Sequence, residues 1–439
     1  MKIVHFLKSQ MPNGLTVFYA QIPESAAFEL ALHIDTGSRD ETKETNGVSH
    51  FLEHMMFRGS KNFPDSISLA VALEDFGGEC NAMTSAESTL YWLRGSTRKI
   101  IPAIEAFGDF FLHPNFADLE TERSVILQEL ANDFNEDGEN VDTDSLAMSA
   151  LFQDHPLGLP IIGNEATVKS LTMAELLAKQ ATFYVPTNCI LAVTCSLPPE
   201  KVLPQLEKIF GSAWPDRVNT PPYKRLLVEP SLYEATSLRK KNALKLQNNT
   251  DNQYALKLSF PTSGGNTRDV ILQTILMRIL DDGIASRLPS NVREKQGLVY
   301  DISCDLITYC DVGVFSIDAT VSRDCIDKLM TTLNTELLSL LAQPPSRAEL
   351  ERVQFRYGFD LELTPENHGR YLGREVWNHF LGTSLTIAEE REQLFAATPQ
   401  QICEIAQKVF LAPQRSFVLV GPKARKKRDE VEKFLRTLG

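Results

Sequence analysis

Residues 46–57 read Asn46-Gly-Val-Ser-His-Phe-Leu-Glu-His-Met-Met-Phe57, and their periodicity predicts one amphipathic helix. Residues four apart on a helix stack on one face, so the imidazoles of His50 and His54 can converge on one tetrahedral cation with Glu53 beside them. Such a set suits a zinc ion that takes three protein ligands and keeps its fourth position for a water, whose proton a neighbouring carboxylate can remove. Histidines at this spacing also cap or line ordinary helices. Alone, the pattern leaves a metal and a plain structural helix as alternatives.

A third ligand must come from elsewhere. The next long acidic helix, Leu119-Glu-Thr-Glu-Arg-Ser-Val-Ile-Leu-Gln-Glu-Leu130, offers Glu122 and Glu129, two helical turns apart and therefore on one face. A solvated acidic face would look the same. With these residues in view, the chain resembles the pitrilysin-type zinc endopeptidases, the family of insulysin and the mitochondrial processing peptidase, which carry the inverted H-x-x-E-H motif. In that family a glutamate at a similar remove from the second histidine completes the zinc site, with another glutamate seven residues before it. The resemblance implies His50, His54 and Glu129 as ligands of one zinc per chain, Glu53 as general base, and Glu122 as the acidic residue supporting the ligands.

Further stretches carry the same likeness. Gly37-Ser-Arg-Asp-Glu41 is a loop between alternating, strand-like runs at 15–20 and 28–35 and the histidine helix, in the family's order. Gly77-Gly-Glu-Cys-Asn81-Ala82-Met-Thr84-Ser-Ala-Glu-Ser-Thr89-Leu-Tyr91 reads as strands joined by a polar turn. Its family counterpart is an edge strand to which peptide substrate adds, which implies substrate contacts at Asn81 and Ala82. Strand addition reads backbone and alternate side chains, so it favours extended segments with loose sequence preference. By pattern alone the stretch is equally an ordinary hairpin. The loop His155-Pro-Leu-Gly-Leu-Pro-Ile-Ile-Gly163 also matches, although His155, before a proline, is expected to be a hydrogen-bonded structural residue.

The chain has 439 residues, 43% of them hydrophobic, which suits two domains rather than one core. Its net charge of −13 and the absence of basic clusters outside Lys423–Arg428 argue against nucleic acid as partner. That late basic run is expected to be a solvated loop leading into the last helix. No stretch approaches the roughly 18 apolar residues that span a bilayer. Seven scattered cysteines without a Cys-x-x-Cys pair, and a start lacking leader features, point to a cytoplasmic protein, with an organelle matrix or the periplasm as the alternative had a presequence been removed.

Helices are expected over 66–76, 98–112, 116–134, 142–152, 172–183 and 199–210, and a strand over 189–194. A polar, proline-bearing segment within 216–230 reads as a linker between domains 1–215 and 231–439. Beyond it the pattern restarts. Phe28-Glu-Leu-Ala-Leu-His aligns with Tyr254-Ala-Leu-Lys-Leu-Ser at an offset of 226, and the Phe183 region aligns with the Val409 region at nearly the same offset. The second half is therefore a degenerate copy, and the expected fold is α+β: two homologous domains, each an antiparallel sheet with helices packed on one face.

At that offset His50–His54 become Leu276-Met-Arg-Ile-Leu280, so the copy lacks metal ligands. Instead Ser286-Arg-Leu288 and Arg293-Glu-Lys-Gln-Gly-Leu-Val-Tyr300 match a family segment whose arginine and tyrosine reach substrate. This implies that Arg293 holds the substrate and that Tyr300 donates to a developing oxyanion. An arginine in a helix cap and a tyrosine in a strand would look the same singly. Longer relatives close four such domains into a chamber, so a two-domain chain is expected to pair as a homodimer, or as a heterodimer with a related chain. A non-catalytic binding subunit, or the active subunit of a processing peptidase, are the other roles the resemblance admits.

Overall fold

The computed structural model describes residues 5–214, 227–228, 241–265 and 267–438. Most of the expected linker, 216–230, lies outside these residues. The first half runs β1 (His5–Gln10), β2 (Thr16–Gln21), β3 (Ala27–Ile34), α1 (Val48–Met56), α2 (Ser66–Glu74), β4 (Glu79–Thr84), β5 (Thr89–Ser96), α3 (Ile100–Leu112), α4 (Leu119–Ala131), α5 (Thr143–Phe152), α6 (Glu165–Ser170), α7 (Met173–Phe183), β6 (Cys189–Cys195) and α8 (Pro199–Leu206). The second half runs β7 (Lys241–Asn248), β8 (Gln253–Ser263), α9 (Asp269–Leu280), β9 (Val299–Thr308), β10 (Val312–Ser322), α10 (Ile326–Ala342), α11 (Arg347–Leu363), α12 (His368–Phe380), α13 (Ile387–Ala396), α14 (Pro399–Phe410), β11 (Gln414–Gly421) and α15 (Arg428–Thr437).

Two sheets form, ordered β1-β2-β6-β3-β5-β4 and β7-β11-β8-β10-β9. Each is antiparallel except for one parallel pair, β2 with β6 and β7 with β11, so both sheets are mixed. The offset of 226 recurs in local chemistry: Thr172 caps α7 by accepting from Glu175 N, and Thr398 caps α14 by accepting from Gln401 N, both in capping boxes. The α+β class with two homologous units holds.

The first unit comprises Met1–Ala131, Leu159–Leu226 and Leu363–Phe380, and the second comprises Asn132–Gly158, Leu227–Glu362 and Leu381–Gly439. In the first, alternate residues Phe28, Leu30, Leu32 and Ile34 of β3 pack with Phe51, Leu52 and Met55 of α1 and with Phe107 and Phe110 of α3 in one core. Burial of each such side chain stabilises by roughly 1.5–3 kcal/mol. The second unit builds the equivalent core from Leu256, Leu258 and Phe260 of β8 with Ile275, Leu276 and Ile279 of α9.

The units are not continuous in sequence, whereas the repeat by itself drew them as 1–215 and 231–439. Leu372 and Val376 of α12 cover Phe18, Ala20, Ala31, Ile190 and Ala192 on the far face of the first sheet. Leu146 and Ala147 of α5 cover Val418 and Val420 on the far face of the second. Each sheet thus carries one helix on the face opposite its main helical layer. These two helices are themselves repeat equivalents, since 226 residues on from Leu146 stands Leu372.

The basic run leads into α15 with Lys423, Arg425, Lys426 and Arg428 exposed, as expected of a solvated segment, but it is wound into a turn rather than left as an open loop. Ala424–Lys427 forms a 3-10 turn, in which Arg425 pairs with Glu139 and Lys427 with Asp327 at 2.9 Å.

Candidate metal centre

Helix α1 buries Val48, Ser49, Phe51, Leu52, Met55 and Met56, which leaves His50, Glu53 and His54 on its remaining face. Its start is fixed from a distance. The buried carboxylate of Glu41 accepts from Gly47 N at 2.7 Å, Asn46 Nδ2 at 3.0 Å and Ser49 N at 2.9 Å. An anion here satisfies free amides and complements the helix dipole. Gly47 has φ +93°, and a Cβ on it would stand 2.7 Å from Ile162 O. Burial pushes the Glu41 carboxyl up, against the pull of Lys179 and of the bonds from Ser49 and Gly47.

The same loop holds the β4–β5 turn. Ser38 N donates to Ser85 O at 3.2 Å and Arg39 N to Ala86 O at 2.8 Å. Gly37 lies so close that a Cβ would stand 2.0 Å from Ser85 O. The fully buried Arg39 pairs with Glu87 at 2.5 Å. Residues 37–41 therefore tie the end of β4 to the start of α1.

Helix α4 presents Glu122 and Glu129 to the histidines. One donor atom each from His50, His54 and Glu129 lies within 4.8 Å of the others. His50 Nε2 is 3.8 Å from Glu129 Oε1, and His54 Nε2 is 3.5 Å from Glu129 Oε2. Ligands at about 2.0–2.1 Å from a tetrahedral ion stand about 3.4 Å apart, so the donor set fits zinc. His54 Nδ1 bonds Glu122 Oε1 at 2.7 Å, which turns Nε2 toward Glu129. Arg58 lies 3.4 Å from the other Glu122 oxygen.

Burial and the neighbouring His54 push His50 down to about 4, keeping it neutral as a metal ligand must be. Burial also pushes His54 down, but the Glu122 hydrogen bond and the charges of Glu122, Glu129 and Glu53 outweigh it and raise the group. Glu53, half-buried beside them, is raised by desolvation, partly offset by the Thr84 hydroxyl, which donates to Glu53 Oε2. A carboxyl raised in this way is a stronger proton acceptor than one in water.

Strand β4 is an edge strand, paired along one side with β5 from Glu79↔Arg94 to Thr84↔Thr89. Asn81 is exposed, with Oδ1 accepting from Ala82 N at 2.8 Å, and Ala82 is half-buried. Beside the strand lies a cavity of about 610 Å³ lined by Phe57, Leu69, Ala70, Leu73 and Cys80 among others. Burial pushes the Cys80 thiol up to about 12, which disfavours its thiolate.

Arg293 and Tyr300 belong to the second unit. Arg293 stands in the short helical turn Pro289–Glu294, half exposed and 3.6 Å from Glu294. Tyr300, 84% exposed, is the second residue of the edge strand β9. His155 Nδ1 accepts from Leu157 N at 3.1 Å, in keeping with a structural role. Sequence reasoning gave no task to Glu41 or Thr84. Both stood in matched stretches, and their signal was a polar residue adjoining the histidine helix or ending the edge strand.

A duplicated sheet-and-helix fold with one H-x-x-E-H helix and a distant glutamate defines a class of inverted zincins. This chain belongs to the family described as Insulinase (Peptidase family M16): residues 16–165 match that family, and residues 170–357 match the Peptidase M16 inactive domain. An uncharacterized zinc protease of Mycobacterium leprae is 28% identical over 96% of this chain and 92% of its own length. The uncharacterized zinc protease YmxG of Bacillus subtilis is 27% identical over 93% and 97%. A protease from Helicobacter pylori shares the fold with a TM-score of 0.85 at 19% identity, covering 96% of this chain and 100% of that one. The first half of the periplasmic protease PqqL from Escherichia coli matches at a TM-score of 0.76 and 19% identity, over 100% and 97%. Among the described residues no helix is long and apolar enough to cross a membrane.

Proposed function

We propose that the chain is a zinc endopeptidase acting on extended peptides or unfolded segments. The observation that carries this reading is the convergence of His50, His54 and Glu129 donors within 4.8 Å, with the Glu53 carboxyl beside them. His50, His54 and Glu129 hold one zinc, which when bound supplies Lewis-acid polarisation of a carbonyl and acidifies a water to a pKa of about 7. Glu53 takes a proton during attack and returns it to the leaving amine. Glu122 keeps His54 in the tautomer whose Nε2 faces the site.

The free edge of β4, at Asn81 and Ala82, takes the substrate as an added strand. Arg293 binds the substrate and Tyr300 donates to the oxyanion that develops. These two reach the site from a second copy of the chain. The match in length to the first half of a longer protease supports that pairing, since two copies would then supply what the longer chain holds in one.

A fluorogenic peptide assay tests the reading. Purified chain cleaves, chelation abolishes cleavage, and stoichiometric zinc restores it. Glu53→Gln keeps the metal and lowers kcat by about 10²–10⁴-fold. Chelator-resistant cleavage, or full activity in Glu53→Gln, overturns it.

A further inference from the structure

The only side chain among the described residues that hydrogen-bonds the Glu53 carboxylate is Thr84. Its placement follows from the pleat. Along β4 the half-buried residues Cys80, Ala82 and Thr84 alternate with exposed Glu79, Asn81 and Met83, so Thr84 projects toward the α1 side of the sheet. A glutamate has three side-chain torsions and a broad last well, so its carboxyl direction is set by partners rather than by its own stereochemistry. Thr84 occupies Oε2 and leaves Oε1 for another proton.

The strand end that carries this hydroxyl is itself fixed. Thr84 pairs with Thr89, whose own hydroxyl donates to Thr36 O at 2.9 Å. The next four residues close a turn through Ser85 N to Ser88 O at 2.8 Å and Ser88 N to Ser85 Oγ at 3.0 Å. That turn sits on Gly37–Arg39, and the same loop fixes α1 through Glu41. Strand end and helix are thus referenced to one stretch of backbone, and Thr84 spans the gap between them.

We propose that Thr84 is a positioning residue for Glu53, its hydroxyl aiming the carboxyl so that the strand which receives substrate also sets the direction of the base. This rests on the endopeptidase reading above. Thr84→Val keeps the shape and removes the donor. The variant binds zinc within twofold of wild type in a dye-competition titration and keeps KM within twofold, while kcat falls about 10–100-fold, as expected for a misdirected reacting group. Thr84→Ser, which restores the hydroxyl, recovers kcat to within a few-fold.

Crystal structures of wild type and Thr84→Val give a readout independent of turnover, with the Glu53 carboxyl rotated away from its wild-type direction in the variant. An unmoved carboxyl, an unchanged kcat, a loss residing in KM or in zinc affinity, or failure of serine to rescue overturns the inference. Should wild type show no chelator-sensitive cleavage, the endopeptidase reading fails, and the direction of the carboxyl in the two crystals still decides the role of Thr84.

Discussion

His54 and Glu122 are joined by a 2.7 Å contact between Nδ1 and Oε1, and this contact directs the opposite ring nitrogen toward Glu129. Glu122 therefore acts on a metal only through His54, whereas Glu129 offers its own oxygen. Removing an outer-shell partner costs about 10–100-fold in metal affinity. Glu122→Gln should weaken zinc binding by that factor, and Glu129→Gln should weaken it further. Competition against a chelating dye measures both, and an unaltered affinity in Glu129→Gln would remove that residue from the ligand set.

The pairing of copies has its own test. Glu53→Gln chains and Tyr300→Phe chains, each inactive alone, should regain activity when mixed, because one hybrid site joins an intact base to an intact tyrosine. Subunit exchange is followed in parallel by a fluorescent label. Exchange without recovered cleavage would sink the shared-site arrangement.

The Arg39–Glu87 pair is buried, so truncating one member removes a short charge-assisted bond from the interior. Breaking such a pair typically costs about 3–5 kcal/mol. Arg39→Leu should lower the urea midpoint with an unchanged slope. Arg39→Leu combined with Glu87→Leu should recover part of that loss, since removing both members of a buried pair costs less than removing one. A double variant no more stable than the single one contradicts this account.

On the outer face of β3, burial pushes His33 down to about 4 from an ordinary 6.5. Between those values the unfolded chain binds a proton that the folded chain does not. The stability contributed by neutral His33 is complete above pH 6.5 and is lost as pH falls toward 4. His33→Gln should therefore show a flatter unfolding free energy than wild type across that window, with the two curves parallel above pH 7. Parallel curves throughout would mean that His33 does not report its burial.

Much of the site was legible because its signals are local. A helix period places His50, Glu53 and His54 on one face, and seven residues on a second helix align Glu122 with Glu129. Helix ends were less legible. The helix expected over 116–134 is α4, Leu119–Ala131, because Phe116 and Asp118 take positive φ of 51° and 57°. An apolar stripe announces burial without naming the sheet that buries it, which is why the crossing of α5 and α12 could not be read. Glu41 was only partly legible: its matched loop before the histidine helix marks it, but nothing local announces the three donors that surround it.

That crossing bears on ancestry and on how the chain can be divided. Equivalent helices of two repeats, each lodged on the other repeat's sheet, have the topology of a swapped pair fused into one polypeptide. A gene fragment ending at residue 215 would encode Phe18, Ala31 and Ile190 without the Leu372 and Val376 that cover them, and the complementary fragment would lack Leu146 and Ala147. Neither product contains a whole folding unit, so the two would have to be made together to become stable, each completing the other.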